Sequence, residues 1–255
     1  VGTHGSRLAV ADGASVSLWS LSAARQLERT ASLNFGKLRQ VITPPPTIDL
    51  LNPHFSPDGK RLVCGQVVWD VETGAVVRHL TLGLPRGAVT LHGQLAATAE
   101  YHNRVHLWDA ATGKQLAEVH AMMGPLDVAA FSADGNMLAA GGAGVKTWKV
   151  SREDETWQLI NELRFSDVGG AIQRVSFAPN GRLLVSSSAF PYAVVTVSDV
   201  TTGKALATLR QSRWPAWSPG GKLLATLTRT YATYEDPQIR RQIRLWEVES
   251  LIAAE

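Results

Sequence analysis

The chain has 255 residues, 45% of them hydrophobic and 18% charged, with a formal net charge of +3 and a pI near 9.2. That length, without a Pro- or Ser-rich linker long enough to separate one core from another, predicts a single domain over 1–255 that buries roughly 70–75% of its unfolded surface. No apolar run reaches the ~18 residues of a membrane span, and the apolar content excludes a disordered chain.

In chain order, the first unit opens on the apolar SRLAVAD (6–12) and continues into VSLWSL (16–21), centred on Trp19. Beyond PPPTIDL (44–50) the second unit brings HFSPDGKRLVCG (54–65), then QVVWDV (66–71) with Trp69, then a hairpin through Gly74 in WDVETGAVVRHL. The third carries VHLWDA (105–110) with Trp108 and a matching hairpin through Gly113 in WDAATGKQLAEV. After MMGP (122–125), the fourth has AFSADGNMLAAGG (130–142) and VKTWKV (145–150) with Trp148. The mixed-sign SREDET (151–156) after it reads as a solvated hairpin tip. SDVGGA (166–171) leads into the fifth, with SFAPNGRLLVSSS (176–188), an AFPY loop (189–192) and VTVSDV (195–200), where Ser198 stands in the Trp position. Its closing hairpin runs through Gly203 in SDVTTGKALATL. The sixth has RQSRWP (210–215), AWSPGGKLLATLT (216–228), a long RTYATYEDPQIRRQ loop (229–242) and IRLWEV (243–248) with Trp246. The terminal LIAAE is at most a stub of one more strand.

From Trp19 through Ser198 to Trp246 the spacings are 50, 39, 40, 50 and 48, so one unit of about forty residues recurs with insertions. The Pro-Asp-Gly, Ala-Asp-Gly, Pro-Asn-Gly and Pro-Gly-Gly phrases are tight turns whose last Gly takes a positive φ. Each unit is therefore four short antiparallel strands, a to d, with the Trp phrase as strand c. Strand b (LVCG, LAAGG, LLVSSS, LLATL) is small and apolar on both faces, which predicts a sheet covered on both sides. Sheets of this kind pack face to face, and a ring protects the end sheets. The six Trp phrases and four turn phrases resemble the WD-repeat family over nearly the whole chain. The resemblance implies an all-β β-propeller of four-stranded antiparallel blades, with six repeat units visible and the first and last incomplete.

The resemblance also implies a tetrad around each Trp indole, with an Asp six residues before the Trp. Here that position holds Gly13, Val63, His102, Gly142 and Arg240, and Tyr192 before Ser198. No complete tetrad is visible, and Trp19, Trp69, Trp108, Trp148 and Trp246 are expected to be held mainly by packing. Residues 1–4 and 251–255 are too short to supply a full a and d pair, so the chain is expected to be part of a larger protein with further blades or domains, with a six-bladed ring closed by a weak seam as the alternative. Fusion to such domains follows from the family resemblance.

Function is expected on one rim. Turns after strands a and c are short and uniform, whereas every irregular insertion falls in the b-to-c and d-to-a connections, on the other rim. There Arg210, Arg213, Arg229, Arg240 and Arg241 gather among Trp214, Tyr231 and Tyr234. Trp, Tyr and Arg are the residues of protein-interface hot spots, and the same set can stack bases and meet phosphates. A protein or peptide partner is expected, with a nucleic acid as the alternative and a hydrolase or lactonase propeller as a further one. No catalytic, cofactor or metal site is predicted. The seven histidines are scattered as surface or edge imidazoles without HExxH or paired CxxC. His120 reads as a structural hydrogen-bonding residue, GGAG (141–144) as a hairpin, and Ser186, Ser187 and Ser188 as strand residues. Cys64 reads as a small buried hydrophobe. No targeting signal is visible, which with the lone cysteine favours a cytoplasmic place.

Overall fold

The computed structural model describes the chain outside residues 1, 5–6, 12–14, 22–26, 35–52, 57–58, 65–66, 80–86, 101–102, 111, 122–125, 127, 154–155, 166–169, 192, 231–239 and 254–255. Within it, six antiparallel sheets follow one another along the sequence. Blade 1 comprises β1 (Gly2–His4), β2 (Arg7–Ala11), β3 (Ser15–Leu21) and β4 (Leu27–Asn34). Blade 2 comprises β5 (His54–Phe55), β6 (Arg61–Cys64), β7 (Val67–Asp70) and β8 (Val76–His79). Blade 3 is β9 (Gly87–His92), β10 (Leu95–Glu100), β11 (Arg104–Asp109) and β12 (Gln115–His120). Blade 4 is β13 (Val128–Phe131), β14 (Met137–Gly141), β15 (Val145–Glu153) and β16 (Thr156–Phe165). Blade 5 is β17 (Gly170–Phe177), β18 (Leu183–Pro191), β19 (Val194–Asp199) and β20 (Ala205–Arg210). Blade 6 has three strands, β21 (Ser212–Trp217), β22 (Leu223–Thr230) and β23 (Arg240–Glu247), followed by the helix α1 (Val248–Ala253).

The first strand of each blade touches the first strand of the next, from β1 through β5, β9, β13 and β17 to β21. That arrangement is a β-propeller, with the first strands innermost. Its core lies between blades and repeats one rule. The Trp face of each blade packs on the opposite face of the blade before it: Trp69 with Ala9 and Leu18, Trp108 with Val63 and Val68, Trp148 with Ala97 and Leu107. In blade 5, Leu184 and Ile172 meet Ala139 and Val145, and in blade 6 Trp246 and Leu224 meet Val195 and Val197. Second strands are buried on both faces in blades 2 to 5, as Leu62, Val63 and Cys64 show consecutively, whereas the expectation fails in blade 6, where Leu223 is exposed and only the face of Leu224 and Thr226 is buried.

Two details depart from the expected layout. Blade 1 has all four strands, because Gly2–His4 pairs with β2 from Gly2↔Ala9 to His4↔Arg7. After β23 the chain forms α1 rather than a strand stub. In the third and fifth blades Trp-Asp or Ser-Asp leads into a Thr-Gly turn, whereas Trp246 is followed by Glu247 and the helix-forming VESLIA. Glu249 stands in the first helical turn, where a carboxylate suits the dipole. Val248 is buried and Leu251 packs against blade 5, so apolar contact holds the helix there.

The expectation that the Trp residues are held mainly by packing is supplemented in two blades by a hydrogen bond. The Trp108 indole N–H donates to Thr98 Oγ1 at 3.0 Å, and the Trp246 indole to Thr226 Oγ1 at 2.9 Å. Trp108 pairs across the sheet with Ala96, and Trp246 with Leu224. A residue two places further along shares that face, and Thr occupies it in both blades. Trp69 and Trp148 are almost wholly buried.

Candidate interaction surface

One rim is built from two turn designs. In the first-to-second-strand turns, Gly59, Gly135, Gly181 and Gly221 have φ of 67°, 75°, 71° and 69°. Each donates its N–H to the carbonyl three residues back, at 2.8 to 3.0 Å. The third-to-fourth-strand turns share an acidic cap. Asp70 Oδ1 accepts from Thr73 N–H at 2.9 Å and from its hydroxyl at 3.1 Å. Asp109 accepts likewise from Thr112, and Asp199 from Thr202. Hydrogen bonds from the Thr73 and Thr202 backbones hold the Asp70 and Asp199 carboxyls below the usual carboxylate range. Asp70 also pairs with Arg61. This rim repeats itself, so it offers little that distinguishes one blade from another.

The other rim does not repeat, and the expected residues sit there differently from the loops predicted for them. RQSRWP is strand rather than connection. Arg210 ends β20, exposed, and Gln211 alone joins it to β21, with φ of 55°. Ser212 is fully buried and its N–H donates to the Ala193 carbonyl at 3.3 Å, which fixes where β21 begins. The register slips between Arg213 and Ala216, and the bulge accommodates Pro215, which has no N–H for the ladder. Arg213 is half-buried, whereas Trp214 is 54% exposed with φ of 49°. A bulky residue in the left-handed region is an outlier, held there by its surroundings.

The long second-to-third-strand connection of blade 6 is shorter than predicted. Arg229 belongs to β22, and Arg240 and Arg241 to β23, where Arg229 pairs with Arg241 and Thr230 with Arg240. The ladder continues as far as Thr230 and Arg240 because alternate Leu, Thr and Ile residues favour strand. Tyr231 and Tyr234 lie outside the described residues, as do PPPTIDL, MMGP and residues 166–169. AFPY is also strand up to Pro191, which pairs with Gly170 at the end of β18. SREDET runs into β15 as far as Glu153, so only residues 154–155 separate its strands.

The surface-or-edge reading of the histidines fails for His106, which is buried in β11. Its ring lies 5.5 Å from that of Trp108, and its Nδ1 is 3.5 Å from a Glu118 carboxylate that also pairs with Arg104. The sequence carried a signal for this, since His106 stands between Val105 and Leu107 in a buried third strand. His120 is exposed at the end of β12, as a surface or edge imidazole would be. GGAG closes the β14–β15 hairpin, and Gly142 accepts from the Ile172 N–H of the next blade at 2.8 Å. Ser186, Ser187 and Ser188 are buried in β18. Burial pushes the Cys64 thiol up to about 12, so it is no thiolate at neutral pH.

Among the described residues no group of three His, Cys, Asp or Glu side chains could hold a metal ion, and no helix is long and apolar enough to cross a membrane. No family model and no curated protein sequence matches the chain. Solved structures do. One chain of the "Crystal Structure of Mitotic Checkpoint Complex" superposes with a TM-score of 0.65 at 16% identity, over 92% of this chain and 73% of that one. At that identity the likeness establishes the propeller fold and stops there.

Proposed function

We propose that the protein is a non-catalytic β-propeller scaffold that binds a protein or peptide on the rim formed by its second-to-third-strand and blade-to-blade connections. The observation that carries this reading is Trp214. A tryptophan in the left-handed region, on the non-repeating rim, beside Arg213, leaves more than half of its surface open to a partner. Strained, exposed aromatics persist where recognition uses them. The similar solved chain comes from a protein complex, which agrees with a partner-binding role.

The test pairs two rims. Replacing Arg213, Trp214, Tyr231, Tyr234 and Arg241 is expected to weaken capture of a partner from a native lysate, each hot-spot residue contributing about 2 kcal/mol or more. Lys60→Ala, Lys114→Ala and Lys204→Ala on the opposite rim leave capture intact. Trp214→Gly adds a readout: the melting temperature holds or rises as the strain of order 1–3 kcal/mol is released, while capture falls. Capture that survives Trp214→Gly refutes the reading. Capture abolished by nuclease transfers the rim to the nucleic-acid alternative.

A further inference from the structure

The charge of this protein is concentrated. Residues 204–246 carry eight Lys or Arg against two acidic residues, a local excess of six in a chain whose net charge is +3; Lys204 and Lys222 stand on the opposite rim, and Glu247 and Glu249 follow directly. The register gathers the arginines further. β20 ends on Arg210, β21 begins beside Arg213, β22 ends next to Arg229, and β23 starts with Arg240 and Arg241. Alternate strands run in opposite directions, so the end of β22 and the start of β23 share a rim, which is also the rim of the β20–β21 junction.

Arg229 and Arg241 are direct cross-strand partners. Like charges placed opposite one another destabilise a sheet, and the next pair, Thr230 with Arg240, adds another cation beside them. A sheet end that gathers arginines in this way is suited to meeting negative charge, because a guanidinium offers paired N–H donors that match a carboxylate. Resting on the scaffold reading above, we infer that the arginine rim of blade 6 binds an acidic peptide segment, with Trp214 as its aromatic anchor.

A peptide fits better than a nucleic acid. The rim arginines lie only at the end of blade 5 and in blade 6, whereas a strand of phosphates needs a basic track with successive aromatic platforms. The rest of the chain balances to a small negative charge and would repel a long polyanion.

The probe is a short fluorescein-labelled polyglutamate peptide, followed by fluorescence anisotropy at low salt, beside an oligothymidylate of the same length. Wild-type protein is expected to bind the peptide more tightly than the oligonucleotide. Arg229→Ser with Arg241→Ser is expected to weaken peptide binding about tenfold or more, with a melting temperature equal to or above that of the wild type. Lys60→Ser with Lys204→Ser removes the same charge from the opposite rim and leaves binding within about twofold. If the arginine pair variant does not fold, Arg210→Ser, at an exposed strand end, supplies the same comparison with a smaller loss.

Equal losses in the two paired variants mean general charge attraction and overturn the inference, as does tighter binding of the oligonucleotide. The scaffold reading is judged separately by Trp214→Gly in partner capture. Intact polyglutamate binding by the arginine pair variant, with capture lost in Trp214→Gly, removes the acidic-peptide inference and keeps the scaffold.

Discussion

At the scale of single residues, the repeat is locked by groups too small to stand out in the sequence. Thr98 and Thr226 are ordinary strand residues until the register shows each two places beyond the cross-strand partner of a Trp, on the same face. Their hydroxyls then give Trp108 and Trp246 an acceptor inside the sheet, where an unpartnered indole N–H would carry its desolvation cost. Thr98→Val keeps the shape and removes the acceptor. It is expected to cost about 1–3 kcal/mol in denaturant unfolding. Ala140→Thr, two places beyond the Leu138 that pairs with Trp148, offers the same acceptor to a blade without it. Because Ala140 is fully buried, the added volume opposes the gain there. A Thr98→Val protein as stable as wild type would show that packing alone holds Trp108. Gly135 is constrained in both backbone and space, since its φ is 75° and a Cβ there would lie 2.2 Å from the His92 ring.

At the scale of elements, each hairpin between third and fourth strands is one device. A register slip sits at the Trp position in all five four-stranded blades, from Leu18/Trp19 to Val197/Ser198. In blades 2, 3 and 5 an aspartate then caps the turn. The cap is a pH-dependent element. Because the Asp70 and Asp199 carboxyls lie below their unfolded value, the folded state binds fewer protons than the unfolded chain between the two values. Their contribution is therefore fully present above the unfolded value of about 3.9 and is lost as pH falls through the lower folded values. Solvent screens these exposed turns, so each contribution is modest. Asp70→Asn with Asp199→Asn retains an acceptor oxygen but no titratable charge, and is expected to flatten the fall of melting temperature below about pH 4. An acid limb as steep as that of wild type would place the titrating groups elsewhere. Asp134, held low chiefly by the Ser132 hydroxyl, would then be the next group to replace.

At the scale of the whole molecule, much of the propeller was legible because its signals are local and repeated. A Gly that closes a turn, a Trp in a strand and a small apolar second strand each report on their own neighbourhood, and six copies average out the noise. The rim was less legible because strand ends depend on pairing. Nothing in RQSRWP reveals that Ser212 is buried and bonded to Ala193, and nothing in RTYATYEDPQIRRQ reveals that Arg229 meets Arg241. The same dependence on neighbours explains why one repeat position has different weights in different blades. The residue before the Trp is Leu107 in blade 3, with no exposure, and Leu245 in blade 6, which is 67% exposed beside Ile243 at 75%. Leu107 lies in the core shared with blade 4, whereas the Leu245 face of β23 is exposed. Leu107→Ala is expected to cost about 2–5 kcal/mol through lost transfer energy and a cavity, and Leu245→Ala within about 0.5 kcal/mol of zero, as for other exposed sites. Urea unfolding of the two variants decides whether burial between blades, rather than membership of the repeat, sets the energy. Equal losses would mean that Leu245 is covered in solution and that blade 6 has a neighbour on that face.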